Sequence, residues 1–112
     1  MNFLYLNSDK MGEGDAQLGR KLLLAFLAQL ADSAVRVDVI GCVNSGIFLT
    51  TTADGPGLES LRKLEARGAR IATCGTCLEH FQRQEMLQIG EVGNMADTVQ
   101  IMAKAKRVIR PC

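Results

Sequence analysis

The chain has 112 residues, 47% of them hydrophobic, which fits one globular domain and excludes an intrinsically disordered protein. Its 13 basic and 12 acidic residues leave a net charge of +1, and it has no tryptophan and a single tyrosine. This balance gives no reason to expect nucleic acid or an anionic membrane as a partner.

Hydrophobic periodicity divides the chain into alternating strands and helices, with no repeat or linker between them. Two of the helices have clear boundary residues. Pro56 suits a first helical turn and Gly68 suits a C-terminal cap, while Asn94 with Asp97 suits an N-terminal cap. In chain order the patterns predict a strand over 2–6, a helix over 16–32, a strand over 35–42, a short helix or turn over 47–49, a helix between Pro56 and Gly68, a strand over 69–73, a helix over 78–86, a strand over 89–92, a helix from Asn94 to Ala105, and a strand over 106–109.

This alternation predicts an α/β fold with one five-stranded parallel sheet and helices on both of its faces. The whole chain, 1–112, is then a single domain. For five strands we predict the doubly wound, flavodoxin-like order 2-1-3-4-5, in which the second and third strands flank the first.

The four cysteines are the most informative residues of the sequence. The longest apolar run, 22–28, is too short to span a bilayer, and the first residues do not form a signal peptide, so a cytoplasmic protein is expected. In that compartment cysteines are more often reduced thiols, metal ligands or redox groups than structural disulfides.

Three of the cysteines are predicted to lie at the carboxyl edge of the sheet, where ligands bind in open parallel sheets. Cys42 ends the second strand, Cys74 follows the third, and Cys112 follows the fifth. With the first strand between them, Cys42 and Cys74 would stand roughly 10 Å apart. They could then line one pocket without forming a disulfide. Taken singly, Cys42 and Cys112 are better explained as small buried side chains than as functional thiols.

The pair Cys74-Gly75-Thr76-Cys77 carries more specific chemistry. Its spacing places one thiol at a helix N-cap and the other in the first turn, where free backbone N–H groups and the helix dipole favour thiolates and lower the pKa. Gly75 permits close backbone approach, and Thr76 is small. Two other interpretations remain open, namely two inert buried cysteines in a strand-to-helix corner and a thioredoxin-like disulfide reductase.

Zinc is a further alternative, because His80 follows Cys77 at the same three-residue step. A structural zinc site needs four ligands, usually from two pairs, and the chain has no second pair of this kind. We therefore expect no metal and interpret His80 as a solvent-facing helix residue. The loop Gly12-Glu13-Gly14-Asp15 also lacks a complete phosphate-binding pattern, and is expected to cap the first long helix and to border the pocket.

Four separated motifs resemble the DsrE-like domain of YedF-type proteins, which are called sulfurtransferase-like selenium metabolism proteins. The resemblance covers nearly the whole chain. The motifs are 8–15 with Leu18-Gly19, Asn44-Ser45-Gly46, Cys74-Gly75-Thr76-Cys77-Leu78, and Val92-Gly93-Asn94-Met95. The family has the α/β fold described above, so the resemblance implies a DsrE-like domain.

The resemblance implies a carrier of sulfur or selenium that holds the atom as a persulfide-type adduct on Cys74. Cys77, the addition typical of YedF-type proteins, would either shield the adduct or attack it and release sulfide. The substrate-binding residues would be Asn44, Ser45, Gly46, Gly75 and Thr76. No cofactor is expected. The resemblance also implies a homo-oligomer. YedF-type proteins usually carry a TusA-like domain that this chain does not contain, so a separate TusA-like donor protein is expected. The alternative is a non-catalytic assembly module of a sulfur-relay type complex.

Overall fold

The computed structural model describes residues 1–112. The elements are β1 (Asn2–Leu6), α1 (Ala16–Asp32), β2 (Val39–Cys42), a 3₁₀ turn (Asn44–Ile47), α2 (Phe48–Thr51), α3 (Pro56–Ala66), β3 (Arg70–Cys74), α4 (Gly75–His80), a second 3₁₀ turn (Gln84–Met86), β4 (Glu91–Gly93), α5 (Met95–Lys104) and β5 (Arg107–Ile109). None of the helices has the length and apolarity that crossing a bilayer requires.

Most elements lie where the sequence predicts them, and the exceptions have local causes. The predicted helix over 78–86 is wrong in extent, because α4 begins at Gly75 and ends at His80. Phe81 then packs edge-on against Phe48, and Gln82 takes a left-handed φ of 56° that ends the helix. The second strand is also shorter than predicted and starts at Val39.

All five strands are parallel, but their order is β4-β3-β2-β1-β5, so the predicted order 2-1-3-4-5 is wrong. The reason lies in how apolar and how buried each strand is. Every residue of β2 is buried, which suits an interior position, whereas the predicted order places β2 at an edge. The short β4 and β5 are largely exposed and therefore suit the two edges.

The hydrophobic core lies between one face of the sheet and the helices α1 and α3. Alternate residues of the three central strands, such as Leu4, Ile40 and Ile71, point toward it. Leu23, Leu27 and Leu30 of α1 recur at helical spacing, and each stabilises the fold by roughly 1.5–3 kcal/mol through burial.

The opposite face of the sheet is covered by α5 alone. A crevice of about 20 Å³ separates α5 from side chains such as Phe3 and Ala72, and it includes Cys74. No residue of α5 is buried, so this helix has little packing to hold it. Its N-terminal cap therefore matters more than usual, because tertiary packing normally supplies most of a helix's stability.

Replacing Asn94 by alanine is expected to lower the free energy of unfolding by about 1 kcal/mol. The Asn94 Oδ1 atom accepts the Asp97 N–H at 2.8 Å, and alanine leaves that group without a side-chain partner. Urea unfolding of Asn94→Ala and of the cap-preserving Asn94→Ser measures the effect. Equal stability of the two variants would contradict the assigned cap.

Candidate functional site

The strand-to-helix corner after β3 brings the CxxC thiols together. Cys74 is the N-cap of α4, and its Sγ accepts the Cys77 backbone N–H at 3.4 Å. The predicted placement of one thiol at the cap and the other in the first turn is confirmed. Both cysteines are free thiols.

The second sulfur has its own backbone donor. The N–H of Asn44, the first residue of the turn after β2, donates to the Cys77 Sγ at 3.2 Å. Asn44 has a left-handed φ of 50°, a conformation that asparagine tolerates better than most residues. Each sulfur thus accepts one backbone N–H, and the two contacts link the ends of β2 and β3 to α4.

The two thiols differ in exposure and in ionisation. Cys74 is only 9% exposed, while Cys77 is half-buried. Burial, and then the hydrogen bond with the Cys74 side chain, raises the pKa of Cys77, although the Asn44 N–H acts in the opposite direction. The expected acidification is therefore wrong for Cys77, because one amide does not offset the loss of water. Cys77 keeps its proton at neutral pH and can donate it to the Cys74 sulfur.

Cys77 lies in an open cleft of about 280 Å³, which it shares with Asn44, Thr76, His80 and Phe81. His80 is exposed, as expected, and its ring packs edge-on against Phe81. No three or more His, Cys, Asp or Glu side chains of the structure come together in an arrangement that could bind a metal ion. Cys74, Cys77 and His80 therefore do not form part of a preformed zinc site.

The other residues predicted to contact a substrate have different surroundings. Ser45 accepts the Asp9 N–H on its hydroxyl at 3.2 Å, which ties the turn after β2 to the loop after β1. Gly46 lies against the Leu6 backbone, and Gly75 lies against the Val92 side chain, so both glycines serve close packing. Among the predicted contacts, only Asn44 and Thr76 border the open cleft with Cys77.

Cys42 is separate from the CxxC pair. The prediction that β1 stands between Cys42 and Cys74 is wrong, since β2 and β3 are neighbours and Cys42 lies opposite Thr73. Both cysteines do border the crevice beneath α5, as expected. The Cys42 side chain, however, belongs to the hydrophobic core, and burial raises its pKa to about 12.

Two residues near the thiols were missed by the sequence analysis. Burial is the main cause that raises the pKa of Tyr5, while the charge of Arg110 lowers it and the charges of Cys74 and Cys77 raise it. Tyr5 lies opposite Gly41 in the sheet, on the face beneath α5. Tyr5 and Arg110 lie near the thiols because of the order of the strands around β1. No local sequence motif indicates that order.

In the native protein, thiol reagents are expected to modify Cys77 and Cys112 and to leave Cys42 unmodified until unfolding. A pKa of about 12, against an ordinary 9.0, lowers the thiolate fraction of Cys42 about a thousandfold near neutral pH. Because the pKa of Cys77 is also raised, its rate should still be rising above pH 9.0. Peptide mapping after timed alkylation measures each rate, and early modification of Cys42 would contradict its burial.

No family model matches the chain, and neither does any curated protein. Two solved structures nevertheless have the same fold. The ychN protein from E. coli is 15% identical with a TM-score of 0.67, and the match covers 97% of each chain. MTH1491, a protein of unknown function from Methanobacterium thermoautotrophicum, is 16% identical with a TM-score of 0.66, and the match covers 98% of this chain and 97% of the other. The shared fold confirms the predicted α/β fold class with its five-stranded parallel sheet, and at this identity the likeness concerns the fold alone.

Proposed function

We propose that this protein carries sulfane sulfur, or selenium, as a covalent adduct on Cys74. The observation that carries the proposal is the amide arrangement at the corner after β3, where the Cys74 Sγ accepts the Cys77 N–H at 3.4 Å. The Cys74 sulfur can accept a second donor, the Cys77 S–H, so it has two donors where the Cys77 sulfur has only one, and donors beside a sulfur at a helix start favour its charge. The resemblance to YedF-type proteins and the DsrE-like fold support the same class of chemistry.

The loading step conserves atoms and electrons. The Cys74 thiolate attacks the outer sulfur of a donor persulfide, whose S–S bond breaks. The donor leaves as a thiolate with the bonding pair, and the outer sulfur keeps its proton on Cys74. Cys77 retains its own proton because its pKa is raised, so its S–H can hydrogen-bond to the sulfur that Cys74 holds.

The proposal includes a separate donor protein, such as a TusA-like carrier, and a homo-oligomeric state. Apolar side chains on β4 and α5 support an interface, since Val92 is 59%, Met95 54% and Val99 55% exposed. Exposed apolar side chains that lie together mark interaction surfaces more often than isolated ones do. Light scattering after size-exclusion chromatography tests this part, and a monomer at all concentrations would contradict it.

The experiment for the carrier function is intact mass spectrometry of the reduced protein after incubation with glutathione persulfide. Addition of one sulfur atom, removed again by a reductant, is the expected result. A protein that gains no mass under conditions that load a known carrier would contradict the proposal. Selenium is tested in the same way with glutathione selenopersulfide, whose selenium is already bonded to sulfur and needs no oxidant to move to the thiolate.

A second candidate is a non-catalytic assembly module, which the 9% exposure of Cys74 favours together with the exposed apolar side chains of α5. In that case neither Cys74 nor Cys77 reacts with a thiol reagent until the protein unfolds. Timed alkylation near neutral pH therefore separates the two functions. Modification of Cys77 in the folded protein would speak against the assembly module.

A further inference from the structure

Arg110 lies at the carboxyl edge of the sheet, directly after β5. Ile109 pairs with Leu4 in the parallel register of β5 and β1, so Arg110 comes level with Tyr5, the next residue of β1. Arg110 is exposed, and it takes part in none of the ion pairs of the structure. It therefore presents a positive charge that no carboxylate of the chain neutralises.

Two other cations near the carboxyl end of β1 are paired. The Lys10 ammonium lies 3.8 Å from the Asp9 carboxylate, and the Arg20 guanidinium lies 3.2 Å from it. An anion that approached either side chain would have to compete with Asp9. An anion that approached Arg110 would meet no such competitor.

Tyr5 lies between Arg110 and the CxxC pair, because β1 stands between β5 and the strands β2 and β3. The Tyr5 Cδ1 atom is 3.9 Å from the position that a Cβ atom would take on Gly41 of β2, so the ring lies close to that strand. Gly41 in turn pairs with Ala72 of β3, two residues before Cys74. Neither Gly41 nor Ala72 has a side chain large enough to separate Tyr5 from the thiols.

Tyr5 is uncharged at neutral pH, since burial is the main cause that raises its pKa. The charges of both CxxC thiols raise that pKa further, while the charge of Arg110 lowers it. The phenol group thus adds no negative charge between Arg110 and Cys74. On the other side of Cys74, Asp97 of α5 borders the same crevice and repels an anion there. The charge of an anionic donor is therefore better accommodated on the side of Arg110.

Strand spacing defines which donors could use this charge. Three strand intervals separate β5 from β3, so the backbones of Arg110 and Cys74 are about 14 Å or more apart. Arg110 is thus suited to a charged group that lies several bonds away from the persulfide sulfur of the donor. A guanidinium group binds a carboxylate through two parallel hydrogen bonds.

The geometry points to Arg110 as a specificity-determining residue, which binds a carboxylate of the persulfide donor while the donor sulfur reacts with Cys74; this inference rests on the proposed carrier function. The carboxylate belongs either to a small thiol such as glutathione or to an acidic side chain of a donor protein. Arg110 takes no part in the exchange of bonds, which is the loading step described above.

Rates of sulfur uptake by the wild type, Arg110→Gln and Arg107→Gln test this role. Arg107→Gln is the matched control, because it removes the same charge from the opposite end of β5, where Arg107 pairs with Asn2. The donors are glutathione persulfide and the persulfide of glutathione diethyl ester, in which both carboxylates are blocked. Intact mass spectrometry at timed intervals and low ionic strength gives each rate relative to the wild type with the same donor.

Arg110→Gln should load about threefold to fivefold more slowly from glutathione persulfide, the effect of one solvent-accessible ion pair, and at the wild-type rate from the ester. Arg110→Lys keeps the charge and should recover most of the rate, while Arg107→Gln should match the wild type with both donors. A persulfide-loaded TusA-like protein serves as a third donor. Slower loading from glutathione persulfide assigns the carboxylate to a small thiol, and slower loading from the protein alone assigns it to an acidic side chain of that protein.

Three results would overturn the role of Arg110. The first is loading of Arg110→Gln at the wild-type rate from every donor, which would leave the carrier function intact. The second is equal slowing by Arg107→Gln, which would reduce the effect to net charge. The third is equal slowing with the ester, which needs no carboxylate. A wild-type protein that takes up no sulfur would instead contradict the carrier function itself. Melting curves of the three variants show that each is folded, and Arg110→Lys decides the matter if Arg110→Gln is not.

Discussion

Replacement of Cys74 by serine is expected to abolish the uptake of sulfane sulfur by the folded protein. A serine hydroxyl does not ionise near neutral pH and cannot act as the accepting nucleophile. Cys77 does not replace it, because burial and the hydrogen bond with residue 74 raise the pKa of that thiol and leave it protonated. Intact mass spectrometry after exposure to glutathione persulfide should therefore show no added sulfur.

The matched control for this variant is Cys42→Ala, which removes a thiol from the core on the other face of the sheet. Its uptake should equal that of the wild type, provided that its melting curve shows a folded protein. Undiminished uptake by Cys74→Ser would transfer the accepting role to one of the two more exposed thiols, Cys77 or Cys112. That outcome would remove Cys74 from the mechanism.

Replacement of Gly46 by alanine is expected to be the most destabilising single change in the turn after β2. A Cβ atom at this position would lie 2.1 Å from the carbonyl oxygen of Leu6. That oxygen belongs to a central strand, is fixed by the neighbouring sheet, and already accepts the Val43 N–H at 3.0 Å. Forced overpacking of this kind costs about 3 kcal/mol or more, a fall of about 10 °C or more in Tm.

Gly14→Ala is the natural control, because a Cβ atom at Gly14 would meet no other atom within 4 Å. This exposed position should change the free energy of unfolding by no more than about 0.5 kcal/mol. Thermal unfolding of both variants beside the wild type gives the comparison. If Gly46→Ala were as stable as Gly14→Ala, the close approach of the turn to β1 would be wrong.

Local signals predicted the elements well where a cap or a long periodic pattern was present. Asp15 accepts the Leu18 N–H at the start of α1, and Asn94 caps α5 in the same way. The end of α4 was missed because its cause is the packing of Phe81 on Phe48, two residues far apart in the sequence. Neither glycine nor proline marks that end.

The candidate site was also predictable only in part, because some of its neighbours are far apart in the sequence. The CxxC spacing alone located Cys74 and Cys77, since a strand followed by a helix start is a local pattern. The strand order is not local, and it decides that Cys42 lies beside Thr73 and that the residues after β5 adjoin those after β1. The sequence did contain two signals for this order, because β2 (Val39–Cys42) is apolar throughout and β4 contains the charged Glu91, and an interior strand needs apolar residues on both faces.

The pairing of β5 with β1 has a consequence for how the molecule assembles. The Cys112 Sγ and the Ser8 oxygen that it contacts are 104 positions apart, so their approach closes a loop that contains the four strands from β2 to β5. Contacts of such long range carry a large entropic cost and form slowly compared with neighbouring ones. During synthesis, a nascent chain that has emerged only as far as α4 already contains the CxxC corner. The contact between Cys112 and Ser8 forms only after β5 has been synthesised, so it is completed later than the CxxC corner.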